Sequence, residues 1–377
     1  MALRIRTPER KTRDAMRFRL MHFEESRLLI EPNITRYLTR NAKRFRERVT
    51  SPTSRRSDVV RRHNHHVHKP TLVLIPGAWH RAEIWAKVTS LLEAQQYKCV
   101  AIDLPSTSGD ATTSLDDDIQ AVRTAILAET QHGRDVLLIL HSYGAAVGQS
   151  AVRGLTRHNP GPHPLPLSPS RDPSTATGHV IGLAMMGCGF AQTGVSFLDA
   201  IGGVPPPLWR FDASGFARLQ GDPRESFYHD LEEEEGKYWV SRLTRQSQRV
   251  LREGADAAYA GWLDVPVWYL VTGEDRTLTV EVQRVLVERA REAGADVVVR
   301  EVRSGHSPML SRPEETVEFI LEAVGGACGM IWFECWRAEG GEFARKWKGS
   351  RNCNDILRKS QLRLLAVPCW WKSCRDE

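Results

Sequence analysis

Residues 71–325 predict an α/β fold, a mainly parallel six-stranded sheet flanked by helices and interrupted by a helical insertion. Three observations carry this expectation. Short apolar runs rich in Val, Ile and Leu recur along the stretch, as strands buried on both faces should. Helix-like segments separate most of them, which implies parallel pairing through right-handed crossovers. A serine stands at a strand-to-helix junction, and a carboxylate and a histidine each follow a later strand.

In chain order the expected strands are 71–75, 98–103, 135–141, 179–186, 265–271 and 295–302. The expected helices are 83–96, 114–129, 143–157, 280–293 and 312–324. Ser114 with Asp117 three residues on resembles a capping box, an acid replacing the usual Glu. The first strand is expected to be central and the second at an edge, with later strands adding outward on the other side. Ligands bind at such a reversal of chain order. Two insertions break the alternation. Residues 159–178 are rich in Pro, Ser and Gly and read as a surface loop. Residues 187–264 carry their own aromatic residues, including Trp209, Phe227, Tyr228, Tyr238, Trp239 and Trp262, and read as a helical cap over a pocket. The run Glu232–Glu235 within it reads as a solvated helix face rather than a metal site.

The chain has 377 residues, 41% of them hydrophobic, which is enough for a sizeable core and excludes a wholly disordered protein. Its net charge of +6 is unevenly spread. Residues 1–70 hold 19 Lys/Arg against 7 Asp/Glu, whereas residues 71–325 hold 23 against 33. The expected folded domain is thus acidic and would repel a phosphate backbone, so no nucleic-acid partner is expected. Residues 1–70 read as a basic, disordered extension, and residues 326–377 as a Cys- and Trp-rich extension of unknown role. The cluster His63, His65, His66 and His68 has no carboxylate or cysteine neighbours and reads as solvated linker. The tail cysteines Cys328, Cys335, Cys353, Cys369 and Cys374 match no paired zinc spacing. No metal or cofactor is therefore expected. The Arg-rich N-terminus lacks the apolar centre of a signal peptide, and its acids, Glu9 and Asp14 among them, argue against a transit peptide. The longest uncharged run, 178–198, is broken by glycines and polar residues and does not read as a membrane span. An intracellular, cytoplasmic location is expected; oligomeric state is not legible.

The central chemical signal is Leu-Ile-Leu-His-Ser-Tyr-Gly-Ala, which ends the third strand and opens a helix around Ser142. In a nucleophile elbow the serine sits on a turn too tight for bulky neighbours. Gly144 supplies the clearance two residues after it; Leu140 stands where a second glycine is usual. His141 reads as a packed or pocket-wall residue, because sequence neighbours point apart. Attack on a carbonyl creates an oxyanion that needs two preorganised N–H donors. Tyr143 is one candidate and Ala78, in the loop after the first strand, the other, with Gly77 admitting close backbone approach. Gly77, Trp79 and His80 of that loop are candidate pocket residues. A serine hydroxyl needs a base, and His306, directly after the last strand, is the candidate. The loop after the preceding strand offers Glu274 and Asp275; Asp275 is the expected acid, orienting the imidazole. The order Ser…Asp…His differs from those of chymotrypsin and subtilisin.

At these residues the chain resembles the small α/β hydrolases of the plant hydroxynitrile lyase and methyl-ester esterase type, and fungal members look closest. The stretches are Ile-Pro-Gly-Ala-Trp-His from Ile75 with Trp85, Asp-Leu-Pro-Ser from Asp103, and His-Ser-Tyr-Gly from His141. Others are Pro-Pro-Pro-Leu-Trp from Pro205, Phe-Tyr-His-Asp-Leu from Phe227, Val-Pro-Val-Trp-Tyr-Leu-Val from Val265 and Ser-Gly-His-Ser-Pro from Ser304. The resemblance implies an α/β-hydrolase fold and separates two chemistries. Lyases of this group use a threonine in the oxyanion loop and a lysine after the histidine; Gly77 and Ser307 stand at those places. Both favour a serine esterase acting on a small, moderately apolar ester. A carbon–carbon lyase, and a non-enzymatic small-molecule receptor on the same fold, remain as alternatives.

Overall fold

The computed structural model describes residues 69–159 and 177–338, with backbone alone from 330 onward. The expected N-terminal extension with its histidine cluster and most of the 159–178 loop lie outside the described residues. So does the tail beyond 338.

The main sheet has six strands, all parallel: β1 Thr71–Ile75, β2 Cys99–Ala101, β3 Val136–His141, β4 Val180–Met186, β8 Val267–Thr272 and β9 Val297–Val302. Their order is β2-β1-β3-β4-β8-β9. The second strand is at the edge and later strands add outward, as expected. The first is interior but second from the edge; the middle pair is β3 and β4. The apolar runs follow burial: β1, β3, β4 and β8 are buried at every position, and the edge strand β2 at none. On the other edge, β9 turns Arg300 and Glu301 outward to pair with Glu322 and Arg284, charges that blunt an open edge.

The helices are α1 Ala86–Ala94, α2 Leu115–Thr130, α3 Gly144–Ala151, α4 Phe197–Ala200, α5 Pro223–Phe227, α6 Glu233–Ser241, α7 Arg249–Arg252, α8 Val280–Glu292, α9 Pro308–Ser311 and α10 Pro313–Ala338. Ser114 caps α2 in the expected box, with Asp117 returning the bond to the Ser114 backbone. The helix expected over 143–157 is shorter, because Gly154 turns the chain with φ 76°. The last helix is longer than the expected 312–324. Beyond the expected end its Ala327 is still buried, and a Cβ at Gly326 would lie 2.3 Å from the Trp268 ring. The chain divides into a compact unit ending at Ala327 and a second from Cys328. No helix among the described residues is long and apolar enough to cross a membrane.

The insertion after β4 is not purely helical. Besides α4 to α7 it forms a three-stranded antiparallel sheet of β5 Trp209–Phe211, β6 Phe216–Leu219 and β7 Gln246–Ser247. Asp212 ends β5 and accepts the Ser214 and Phe216 amides, which closes the β5–β6 turn around Gly215.

Glu129, near the end of α2, ties the helix to the sheet. Its carboxylate accepts the Thr71 hydroxyl at 2.7 Å, Lys98 Nζ at 2.6 Å and Arg134 Nε at 2.6 Å. Burial pushes its pKa up, but these donors outweigh it and bring it down to about 2. A depressed carboxylate pKa stabilises the fold above the unfolded value, and the gain is lost as pH falls through the folded value. Glu129→Gln is expected to cost about 1–2 kcal/mol at pH 7, the partly exposed cations limiting the loss. In thermal melts the gap between wild type and variant should narrow as pH falls from about 4.5 toward 2.

Candidate active site

The C-terminal ends of β1, β3, β8 and β9 carry the loops that meet at the site. After β3 the chain enters a tight turn with Ser142 at φ 50°, a left-handed conformation that a side chain adopts at a cost. The turn lies hard against β1. A Cβ at Gly144 would be 2.3 Å from the Pro76 carbonyl oxygen and 2.8 Å from that of Ile75, so glycine is obligatory there. Leu140, the departure from the usual glycine, is accommodated one helical turn further on. A Cβ at Gly148 would lie 2.2 Å from Leu140 Cδ2. The volume removed at one position is filled from the other.

Ser142, His306 and Asp275 are brought together. Asp275 Oδ2 accepts from His306 Nδ1 at 2.8 Å, and His306 Nε2 lies 3.1 Å from Ser142 Oγ. With Nδ1–H donating to a carboxylate, Nε2 is the lone-pair nitrogen that accepts the serine hydroxyl. Asp275 and His306 are buried and Ser142 half-buried. The other donors to Asp275 are the Thr272 hydroxyl (2.8 Å) and the Thr277 and Leu278 amides (2.8 and 2.9 Å). Burial pushes the Asp275 carboxyl up, but the facing His306 imidazole and these donors hold it below its usual range. Glu274 faces away and takes Arg303 Nε at 2.6 Å. Gly187, at the end of β4 with φ 55°, lets the chain pass the pair; a Cβ there would stand 3.4 Å from both Asp275 Oδ2 and His306 Nδ1.

The Ala78 and Tyr143 backbone N–H groups have no hydrogen-bond partner among the described residues, although both residues are buried. A ligand oxygen could therefore satisfy them. Gly77 packs on the elbow, where a Cβ would lie 2.9 Å from Ser142 Cβ. Trp79 is at φ 64° and is held on three sides by the insertion. Its indole N–H donates to the Ala217 carbonyl (2.9 Å), its backbone N–H to Gln246 Oε1 (3.0 Å), and its carbonyl accepts the Thr244 amide (2.9 Å). Trp209, Trp79, Phe227 and His306 form a run of aromatic contacts, with centroids 6.4, 6.1 and 5.7 Å apart. His80 spends both nitrogens inside the protein: Nδ1 donates to the Ala78 carbonyl at 2.7 Å and Nε2 accepts the Tyr228 hydroxyl at 2.6 Å. Burial lowers its pKa to about 4, so it stays neutral. His141 is likewise kept neutral by burial, then by His306 and His80 nearby, and donates from Nε2 to the His306 carbonyl at 2.8 Å.

Sequence reasoning missed several supporting residues. Beside the Tyr228 bond to His80, His229 Nε2 meets the Glu274 carbonyl at 2.9 Å and Asp230 Oδ2 accepts the Gly305 amide at 2.6 Å. The segment from Phe227 thus touches three of the four loops, those after β1, β8 and β9; in the sequence it was signalled by the aromatic Phe227 and Tyr228 of the insertion and by the family resemblance. Gln246 and Asp118 gave no signal at all.

A family model described as the alpha/beta hydrolase family matches residues 72–319. The alpha/beta hydrolase nvfD of Aspergillus novofumigatus is 29% identical over 263 residues, covering 69% of this chain and 98% of the relative. Methylesterase 1 of Arabidopsis thaliana is 24% identical over 280 residues, 67% of this chain and 95% of its own. Among solved structures, a pyrethroid hydrolase from Sphingobium faniae aligns with a TM-score of 0.51 at 22% identity, covering 68% of this chain and 97% of that one.

The Leu140–Gly148 fit is open to a direct test. Gly→Ala inside a helix ordinarily stabilises by about 1 kcal/mol. Gly148→Ala is expected instead to destabilise by about 1–3 kcal/mol, through overpacking against Leu140. Denaturant melts of Gly148→Ala, Leu140→Ala and the double variant should show strong coupling, the cost of Gly148→Ala largely vanishing in the Leu140→Ala background.

Proposed function

Because the chain belongs to the α/β-hydrolase family, we propose that it is a serine hydrolase cleaving a small, moderately apolar carboxylic ester. The observation that carries the reading is the hydrogen-bonded line from Ser142 through His306 to Asp275, beside two unused backbone N–H groups. In this mechanism Ser142 Oγ attacks the ester carbonyl while His306 Nε2 takes its proton. Asp275 holds the Nδ1–H tautomer and stabilises the imidazolium. The Ala78 and Tyr143 N–H groups take the oxyanion. As the tetrahedral intermediate collapses, His306 returns the proton to the leaving alkoxide, and an acyl-enzyme and an alcohol result. Water, deprotonated by His306, then attacks the acyl carbon. Ser142 leaves with the proton, and a carboxylic acid is released.

The aromatic run of Trp209, Trp79 and Phe227 beside His306 suits an apolar substrate. The names of two relatives, a methylesterase and a pyrethroid hydrolase, accord with an ester. Against a lyase, Gly77 leaves no room for a threonine unless the elbow shifts, and the short Ser307 replaces the lysine cation. A receptor would bind without turnover, and that separates it.

Ser142→Ala and His306→Ala should each lower kcat on short-chain esters by at least ~10³-fold, leaving the residual rate of the oxyanion donors. Asp275→Asn should cost somewhat less, and Glu274→Gln should stay within about twofold of wild type. Full activity in Ser142→Ala would sink the mechanism. A loss in Glu274→Gln with Asp275→Asn unaffected would reassign the acid.

A further inference from the structure

The two N–H groups assigned to the oxyanion lie on separate elements, the turn after β1 and the start of α3. Acyl transfer alone does not explain how their spacing is kept. A buried polar chain joins them. The Trp79 amide, next along from Ala78, donates to Gln246 Oε1 at 3.0 Å, and Gln246 Nε2 donates to Ser106 Oγ at 2.8 Å. Ser106 Oγ donates to Asp118 Oδ2 at 2.6 Å, and its backbone N–H to Asp118 Oδ1 at 2.8 Å. The Tyr143 hydroxyl completes the chain by donating to Asp118 Oδ2 at 2.8 Å. Gln246, Ser106, Asp118 and Tyr143 are all at most 1% exposed.

We propose that Asp118 is a positioning residue for the oxyanion site. Its carboxylate gathers the Tyr143 hydroxyl directly and the Trp79 amide through Ser106 and Gln246, and so fixes the separation of the Tyr143 and Ala78 donors. The inference rests on the ester-hydrolase reading for what those donors bind.

Four features support it. Every group bonded to Asp118 donates to it, the Ser106 amide and the Ser106 and Tyr143 hydroxyls, which is the arrangement an ionised carboxylate takes. No cation pairs with it among the described residues, and burial pushes its pKa up to about 6. A buried, unpaired carboxylate is a poor choice for stability, where an apolar side chain of similar size would pack the helix at lower cost. The chain also ends on a residue that needs restraint, since Trp79 is held at φ 64°. Finally, its four buried members come from four elements: β7 in the insertion, the turn at Pro105–Thr107, α2 and the elbow.

The test uses the full-length protein and two readouts: kcat and KM on a short-chain p-nitrophenyl ester, and the rate at which a fluorophosphonate labels Ser142. Tyr143→Phe keeps the backbone donor and removes only its tether. Ser106→Ala cuts the relay while keeping the backbone bond to Asp118. Each is expected to lower kcat about 10-fold with KM within about twofold, and to slow labelling in proportion. Asp118→Asn should lose less than Asp118→Ala. Asp117→Asn, on the exposed side of α2, should leave kcat unchanged. Lower melting temperatures with kcat intact would reduce the network to a structural brace and overturn the proposal, as would a change confined to KM. Should Tyr143→Phe fail to fold, Ser106→Ala decides alone. A wild type that labels but turns over no ester would fail the ester reading, while the labelling rates still judge the network. A wild type that does neither would overturn both.

Discussion

The arrangement depends on how closely the turn after β3 approaches β1. The Ser142 turn is held at positive φ with Gly144 touching the backbone carbonyls of Ile75 and Pro76. That contact puts the start of α3 beside the loop after β1, the two elements that carry the proposed oxyanion donors. Gly77 extends the same contact to Ser142 itself. Any side chain at 144 would lever the helix off the strand. The geometry of the site is thus a packing constraint before it is an electrostatic one.

The insertion works as a second constraint, acting from above. The β6 and β7 region holds Trp79 through four hydrogen bonds, and the segment from Phe227 to Asp230 reaches the three loops that carry His80, Glu274 and Gly305. These bonds use backbone groups of the loops, the Trp79 indole, or a histidine with both nitrogens engaged. They therefore stiffen loops that would otherwise be among the least stable parts of an α/β fold. Of the polar side chains responsible, Gln246 and Tyr228 are buried, where a broken hydrogen bond costs most, and His229 and Asp230 are half-buried.

How much of this was legible in the sequence follows from what each residue is bonded to. The buried strands were legible because a strand covered on both faces must be apolar throughout. The edges shrank because edge pairing ends sooner than hydropathy does; β2 keeps three of six expected residues. The helix after the elbow was cut short by Gly154, a glycine the apolar pattern gave no reason to single out. Ser142, Asp275 and His306 each follow a strand, and their positions in the chain were enough to nominate them. Asp118 and Gln246 were not legible. Each is a polar residue in a stretch that reads as solvated, and only its distant partners, 25 and 167 residues away, give it meaning.

The fit between Leu140 and Gly148 bears on the order in which such a sequence can arise. Starting from a glycine two places before the serine, a leucine arriving first would drive its methyl group into whatever Cβ stood at 148, a step costing about 1–3 kcal/mol. A glycine arriving first at 148 costs only its helix propensity, about 1 kcal/mol. With most proteins only about 5–15 kcal/mol from unfolding, the second path is the more passable. Once both residues are in place, neither reverts cheaply alone: Gly148→Ala meets the leucine, and Leu140→Gly opens a cavity. The departure from the usual elbow signature is then a ratchet, and its history is written eight residues away, inside the helix, where a search of the elbow alone would not look.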